Sequence, residues 1–182
     1  MNALIIIGAI VVLFLIIVAL RPSEFRVARS TTVAAPPEIV FPQVNDLHKW
    51  EAWNPWGKID PNMKLAYEGP AAGVGAVHAW AGNNKVGEGR MEIIESRAPE
   101  LIRFRLDFYQ PMAGTSTAAF TFKPEGDQTL VTWAMSGKNN FMAKAFGLFV
   151  NCDKMIGSQF EKGLADLKAI AEAAAKSRAV PA

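Results

Sequence analysis

Residues 156–171 read Ile-Gly-Ser-Gln-Phe-Glu-Lys-Gly-Leu-Ala-Asp-Leu-Lys-Ala-Ile-Ala. Apolar side chains recur through this stretch at helical spacing, and they form a stripe of Ile156, Phe160, Leu164, Leu167 and Ala171. Charged pairs such as Lys168 and Glu172 lie four positions apart on the other side. The pattern predicts a long helix that is capped by Asp153 and ends near Ala175. Its apolar face must be buried against another element.

The preceding segments alternate apolar and polar residues and are separated by Gly, Pro and Asn turns. In the clearest one, Leu101–Tyr109, Phe104 and Leu106 face one way and Arg103 and Arg105 the other. The predicted strands are 25–33, 63–67, 74–80, 86–96, 101–109, 118–122 and 131–135, with short helices at 38–44 and 141–150. We therefore predict an antiparallel sheet of about seven strands with one face exposed to water and the other available to the long helix.

The first 20 residues carry no charged side chain, and residues 3–20 are all apolar or glycine. At about 1.5 Å per residue, this run is close to the hydrocarbon thickness of a bilayer. A signal peptide fits less well, because no Lys or Arg precedes Arg21. We predict a transmembrane helix over 1–20, a linker over 21–24, a folded domain over 25–175 and a flexible tail over 176–182.

The basic residues after the run set the predicted orientation. Arg21, Arg26 and Arg29 follow it and none precedes it, so the positive-inside rule favours a single-pass protein of the cell membrane with a cytoplasmic domain. Arg26 and Arg29 also fall within the first predicted strand. Cys152 is the only cysteine, so no intramolecular disulfide can form. Cysteine content therefore does not distinguish a cytoplasmic from an extracytoplasmic location of the domain.

Charge argues against nucleic-acid binding. The formal net charge is only +2, and no run of Lys or Arg is present. Duplex and single-strand binding both depend on a basic surface. We expect no nucleic-acid partner.

Several short motifs resemble those of the START-like, or SRPBCC, superfamily, particularly its polyketide cyclase/dehydrase and lipid-transport branch with an N-terminal anchor. The resemblance covers roughly Phe25 to Glu172. It rests on Ala-Pro-Pro-Glu-Ile-Val-Phe at 35–41, the tryptophan segment at 46–56, Gly-Val-Gly at 73–75, Val-Gly-Glu-Gly-Arg-Met at 86–91, Val-Thr-Trp at 131–133 and Phe-Glu-Lys-Gly-Leu-Ala-Asp-Leu-Lys at 160–168. It implies an α+β helix-grip fold, in which a curved sheet surrounds the C-terminal helix and an apolar ligand lies between them.

Inward-facing positions then become candidate ligand contacts. They are Trp50, Trp56, Trp80, Met91, Phe104, Phe120, Trp133, Met135, Phe160 and Leu164. Most of these side chains must also serve as ordinary core, because a domain of this size fills its interior. For Trp53 we favour a purely structural role, in which it fixes a short helix to the sheet; for Trp50 and Trp56 both roles stay open.

Support for catalysis is weak. His78 alternates with Ala76 and Trp80 and so can point inward, but a lone histidine is more often structural. Cys152, near a helix start, is disfavoured as a nucleophile because no histidine lies near it in sequence. No metal-ligand spacing, nucleophile elbow or phosphate loop occurs. We expect no cofactor and no metal, and an enzyme is the less favoured reading.

Three functions are compatible with the sequence. The leading hypothesis is a membrane-tethered protein that binds a hydrophobic small molecule or lipid. The alternative is a cyclase or hydrolase that uses His78 with Glu88 or Asp107 as a proton shuttle. The third is an interaction module like the stress-protein or co-chaperone members of the superfamily, with a collapsed pocket.

Overall fold

The computed structural model describes residues 2–179. Its helices are α1 (Asn2–Ala19), α2 (Pro37–Asn45), a 3₁₀ helix (Leu47–Ala52), α3 (Phe141–Phe146) and α4 (Cys152–Ala179). Its strands are β1 (Glu24–Val33), β2 (Lys64–Glu68), β3 (Val77–Ala81), β4 (Glu88–Arg97), β5 (Leu101–Gln110), β6 (Gly114–Glu125) and β7 (Gln128–Lys138). All seven strands form one antiparallel sheet in the order β1-β7-β6-β5-β4-β3-β2.

The predicted helix-grip architecture is confirmed. The side chains of α4 that face the sheet are Phe160, Leu164, Leu167 and Ala171, and each is at most 2% exposed. Ile156 packs against the same core but is only partly buried. The core therefore lies between one face of the sheet and α4.

The predicted cap of α4 was wrong. Asn151 caps the helix, since its Oδ1 accepts a hydrogen bond from the Lys154 N–H at 2.9 Å. Asp153 instead pairs with Arg29 of β1, at 3.0 Å. The helix also continues past the predicted end, to Ala179, while residues 180–182 of the predicted tail lie outside the described residues.

Two glycines, Gly87 and Gly89, shape the start of strand β4. Gly87 has a positive φ of 73°, and the register between β4 and β5 shifts at Glu88 and Gly89. A side chain at Gly89 would meet Trp80, with the added Cβ only 2.7 Å from the indole. The absence of a side chain at Gly89 therefore leaves room for Trp80, which lines the cavity.

Helix α1 is apolar, and its side chains from Leu4 to Ile17 are exposed. No helix in the described part of the chain is both long enough and apolar enough to cross a bilayer. The predicted transmembrane helix over 1–20 is therefore not supported as a span.

The end of α1 is attached to the domain. Arg21 donates to the carbonyl of Gly147 at 2.8 Å, and Lys144 of α3 donates to Ser23 at 3.1 Å. Asn139 donates through its backbone N–H to the carbonyl of Ser23 at 2.8 Å. The predicted linker at 21–24 is thus held by the segment around α3.

Candidate functional site: an apolar cavity between the sheet and α4

The tryptophan segment closes one side of the core. The 3₁₀ helix places side chains three positions apart on one face, and the rings of Trp50 and Trp53 lie 4.4 Å apart. Trp50 donates its indole N–H to the carbonyl of Val44 at 2.8 Å, and Trp53 donates to that of Gln43 at 3.1 Å. Both indoles therefore fix the 3₁₀ helix to the end of α2.

A cavity of about 180 Å³ lies between this segment, the sheet and α4. Its lining is Trp50, Asn54, Trp56, Met63, His78, Trp80, Val86, Met91, Phe104, Leu106, Phe108, Ala118, Trp133, Met135, Ile156 and Phe160. No carboxylate, ammonium or guanidinium group is among these residues. The site is thus an apolar chamber whose wall contains two polar side chains besides its indoles, those of Asn54 and His78.

Aromatic rings build much of the wall. Trp133 of β7 lies parallel to Phe160 of α4, with ring centroids 4.0 Å apart and planes 10° apart. Trp56 meets both rings edge-on, at 5.7 Å from Trp133 and 6.2 Å from Phe160. Gly163 permits this approach, because an added Cβ there would lie 2.9 Å from Trp133. The contacts hold α4 at the edge of the cavity.

The structure brings most of the predicted ligand contacts to this cavity. Those that line it are Trp50, Trp56, Trp80, Met91, Phe104, Trp133, Met135 and Phe160. Phe120 and Leu164 do not line it; they are fully buried in the packed core, and Phe120 lies against Trp133 with centroids 4.8 Å apart. Trp53, for which a structural role was favoured, is also absent from the lining and is 0% exposed.

Sequence reasoning missed seven lining residues. Leu106, Phe108, Ala118 and Ile156 lie on faces that the apolar periodicity had identified as inward, so a signal for them existed. Asn54, Met63 and Val86 lie in loops; the predicted strands 63–67 and 86–96 began at Met63 and Val86, but β2 begins at Lys64 and β4 at Glu88. Loop residues enter such a list only when the tertiary fold is known.

His78 faces inward and is 3% exposed. Burial, as the main cause, lowers its pKa to about 4; the nearby Glu51 carboxylate opposes that shift, and His48 adds to it. Neither ring nitrogen has a hydrogen-bond partner among the described residues. His78 is therefore neutral at physiological pH and unpaired in the cavity wall.

The predicted proton shuttle is not assembled. Asp107 points away from the cavity: its carboxylate accepts from Thr115 at 2.7 Å and pairs with Arg105 at 3.0 Å, and these contacts lower its pKa. Glu88 pairs with Ala81 in the β3–β4 register, out of phase with the inward positions His78 and Trp80. Alternation along the strands thus separates both carboxylates from the imidazole. Within the described residues no cluster of His, Cys, Asp or Glu could hold a metal ion.

Comparison with solved structures places the fold among known ones. A Chromobacterium violaceum protein is 17% identical with a TM-score of 0.58, over 84% of this chain and 99% of that chain. The Aha1 dimer from Colwellia psychrerythraea is 14% identical with a TM-score of 0.58, over 81% and 96%. Ginseng major latex-like protein 151 from Panax ginseng is 15% identical with a TM-score of 0.55, over 81% and 97%. These identities establish a shared fold only.

A comparison with curated proteins found no significant match. One family model, however, described as polyketide cyclase/dehydrase and lipid transport, matches residues 24–172. That range runs from the start of β1 to the last turns of α4 and includes every residue of the cavity wall. The chain therefore belongs to the polyketide cyclase/dehydrase and lipid transport family.

Proposed function

We propose that this domain binds an uncharged hydrophobic small molecule, or the apolar part of a lipid, in the cavity between the sheet and α4. The observation that carries the proposal is the cavity of about 180 Å³ with no charged side chain in its lining. Membership of a family that includes lipid-transport proteins supports the same class of ligand. An apolar molecule gains free energy on leaving water for such a site.

The cavity volume limits the size of the ligand. A cavity of about 150 Å³ lined by aliphatic and aromatic side chains accepts benzene. The present cavity, about 180 Å³, is therefore large enough for a single-ring molecule or for one segment of an acyl chain. Met63, Met91 and Met135 supply flexible side chains that adapt to ligands of different shape.

Adjacent alanines on β6 offer a matched pair of variants. Ala118 lines the cavity between Phe104 and Met135 in the sheet register, whereas Ala119 lies on the opposite face of the same strand. Ala118→Leu would occupy cavity space, and Ala119→Leu would not. The two variants change the same strand by the same number of atoms.

Native mass spectrometry of the full chain, before and after exposure to membrane extract, tests the proposal. We expect a discrete added mass on the wild type and on Ala119→Leu, and a loss of that mass on Ala118→Leu. Thermal unfolding of both variants verifies that they fold. An apo mass for the folded wild type, with no uptake from extract, would contradict ligand binding and favour the interaction-module alternative.

We further propose that α1 attaches the domain to a lipid bilayer. The support is the exposed apolar surface of the helix, from Leu4 to Ile17. Further apolar side chains are exposed in α3, which contacts α1, and in the segment that follows it; they are Phe141, Met142, Phe146, Phe149 and Met155. Soluble monomers rarely expose so much contiguous apolar surface. Arg21 and Lys144 beside it suit the anionic headgroups of a cytoplasmic leaflet.

Membrane fractionation of the full chain tests this attachment. We expect the wild type in the membrane pellet and the Leu13→Arg variant, changed in the middle of α1, in the soluble fraction. Leu20→Arg, at the end of the helix, is the matched control and should stay with the membrane. If alkaline carbonate leaves the protein in the pellet, α1 is inserted in the bilayer; if carbonate releases the protein, α1 binds at the bilayer surface. A wild-type protein found in the soluble fraction would contradict the proposal.

A further inference from the structure

His78 occupies an unusual position in an otherwise apolar wall. It is the second residue of β3, pairs in register with Tyr67 of β2 and Met91 of β4, and lines the cavity together with Met91. His78 is buried, with only 3% of its surface exposed to solvent. Both ring nitrogens are buried without a hydrogen-bond partner in the described protein.

Neighbouring groups do not satisfy the imidazole. Tyr67 covers one face of the ring, with centroids 5.0 Å apart and planes 15° apart, so the nitrogens at the ring edge stay uncovered by it. The Tyr67 hydroxyl is directed elsewhere and donates to Glu51 at 2.7 Å. The other polar side chain in the wall, Asn54, uses its Oδ1 to accept from the Trp56 N–H at 3.1 Å. No neighbouring group in the described part of the chain therefore uses the hydrogen-bonding capacity of His78, a residue of the cavity wall.

A buried polar group without a partner is costly, and native proteins rarely leave one unmatched. Neutral imidazole offers one N–H donor and one lone-pair acceptor. It can therefore donate to a carbonyl or accept from a hydroxyl. A charged ligand group is disfavoured, because the cavity lining holds no ion to pair with it.

We infer that the ligand carries an uncharged oxygen group, a hydroxyl or a carbonyl, that hydrogen-bonds to His78, and that His78 selects such molecules over hydrocarbons of the same shape. The inference rests on the proposed ligand-binding function and deepens it. It makes His78 a specificity residue for a compact aromatic or aliphatic alcohol or ketone. No proton transfer is involved.

Two probes of the same carbon skeleton test the selection. Ethylbenzene and 4-ethylphenol differ by one hydroxyl group, and each is close to the size that the cavity admits. Their affinities are measured by calorimetry on the full chain in amphipol, for wild type, His78→Leu and Met91→Leu. Partitioning of the probes into amphipol affects all three proteins equally, so the ratio of the two affinities can be compared between them.

We expect wild type and Met91→Leu to bind 4-ethylphenol more tightly than ethylbenzene. In His78→Leu the ratio of the two affinities should fall about tenfold. Met91→Leu is the matched control because it changes the neighbouring wall residue without removing a polar group. An unchanged ratio in folded His78→Leu would overturn the inference while leaving ligand binding intact. If neither probe bound to wild type, the inference and the proposed function would both be rejected for ligands of this size.

A measurement on the unmodified site covers the case in which His78→Leu does not fold. The chain has two histidines, so ¹⁵N-histidine labelling yields two imidazole spin systems, and His48→Gln assigns them. We expect 4-ethylphenol to shift the ring nitrogens of His78 and ethylbenzene to leave them nearly unmoved. Equal shifts with both probes, or none with either, would mean that the ligand does not bond to the imidazole.

Discussion

Trp133 of β7 and Phe160 of α4 lie face to face, with ring centroids 4.0 Å apart and planes 10° apart. Both side chains line the cavity and both are at most 3% exposed. One aromatic contact therefore joins the long helix to the sheet and also forms the wall of the candidate binding site. Changes at this contact should affect stability and ligand uptake together.

We expect Phe160→Ala to lower the free energy of unfolding by about 3–5 kcal/mol, because it removes a fully buried ring and enlarges the cavity. Urea unfolding of the full chain in amphipol measures the change. The control is Phe149→Ala, where the ring is 80% exposed and the loss should stay within about 0.5 kcal/mol. Equal losses at both positions would contradict the burial assigned to Phe160.

His78 predicts a loss of stability in mild acid. Burial holds its pKa at about 4 in the folded chain, against ~6.5 for an exposed histidine. The unfolded chain therefore takes up a proton as the pH falls through ~6.5, while the folded chain does so only near 4. The free energy of unfolding should decline across this window by about 3 kcal/mol.

Urea unfolding between pH 7 and pH 4.5 tests this prediction. The wild type and His48→Gln should show the decline, and His78→Leu should show a much flatter profile. The carboxylates with lowered pKa values, Asp107, Asp153 and Glu172, contribute stability that is lost only at lower pH, as it falls through their folded pKa values. An identical slope in His78→Leu would show that another group is responsible.

Substitutions at Arg29 and Gly157 should have non-additive effects on stability. Arg29 pairs with Asp153 at 3.0 Å and with Glu161 at 2.7 Å, and its guanidinium lies over Gly157, where an added Cβ would come within 2.0 Å of Nη2. These contacts raise the pKa of Arg29 and lower that of Asp153. Gly157→Ala alone must displace the guanidinium, which offsets the gain in helix propensity.

In an Arg29→Ala background the obstacle is absent, so Gly157→Ala should stabilise the chain by up to ~1 kcal/mol. A double-mutant cycle measured by thermal unfolding gives the coupling between the two sites. Strict additivity, with the same effect of Gly157→Ala in both backgrounds, would mean that Arg29 does not occupy the position above the glycine.

A side chain at position 89 should lower both the stability of the chain and its ligand uptake. A Cβ at this position would lie 2.6 Å from the carbonyl oxygen of Asp107 and 2.7 Å from the Trp80 indole. We expect Gly89→Ala to cost about 1–3 kcal/mol through overpacking and to move Trp80, a residue of the cavity wall. Gly114→Ala is the control, since nothing lies within 4 Å of its added Cβ.

Equilibrium unfolding and native mass spectrometry measure the two effects separately. Gly114→Ala should match the wild type in both. A Gly89→Ala protein that was as stable as the wild type would show that the β4–β5 irregularity tolerates a side chain.

Local pattern was enough to predict the order of elements. Alternation over Leu101–Tyr109 and the helical stripe from Ile156 to Ala171 each report which side of an element is apolar, and the structure confirms both faces. Capping was predicted less well, because Asp153 and Asn151 are both good cap residues. In the folded chain Asn151 caps the helix, and Asp153 pairs with Arg29, which lies far away in sequence.

The sequence by itself determined the sheet, the helix that crosses it, the family and the inward face on which a site could lie. Only the tertiary structure decided which inward side chains border empty space: Phe108 lines the cavity while Phe120 and Leu164 are packed in the core. It also decided that the buried ring nitrogens of His78 have no hydrogen-bond partner among the described residues. The physical reason is that periodicity fixes the side of a strand or helix, whereas a cavity and a hydrogen bond depend on distances between elements that meet only in the folded chain.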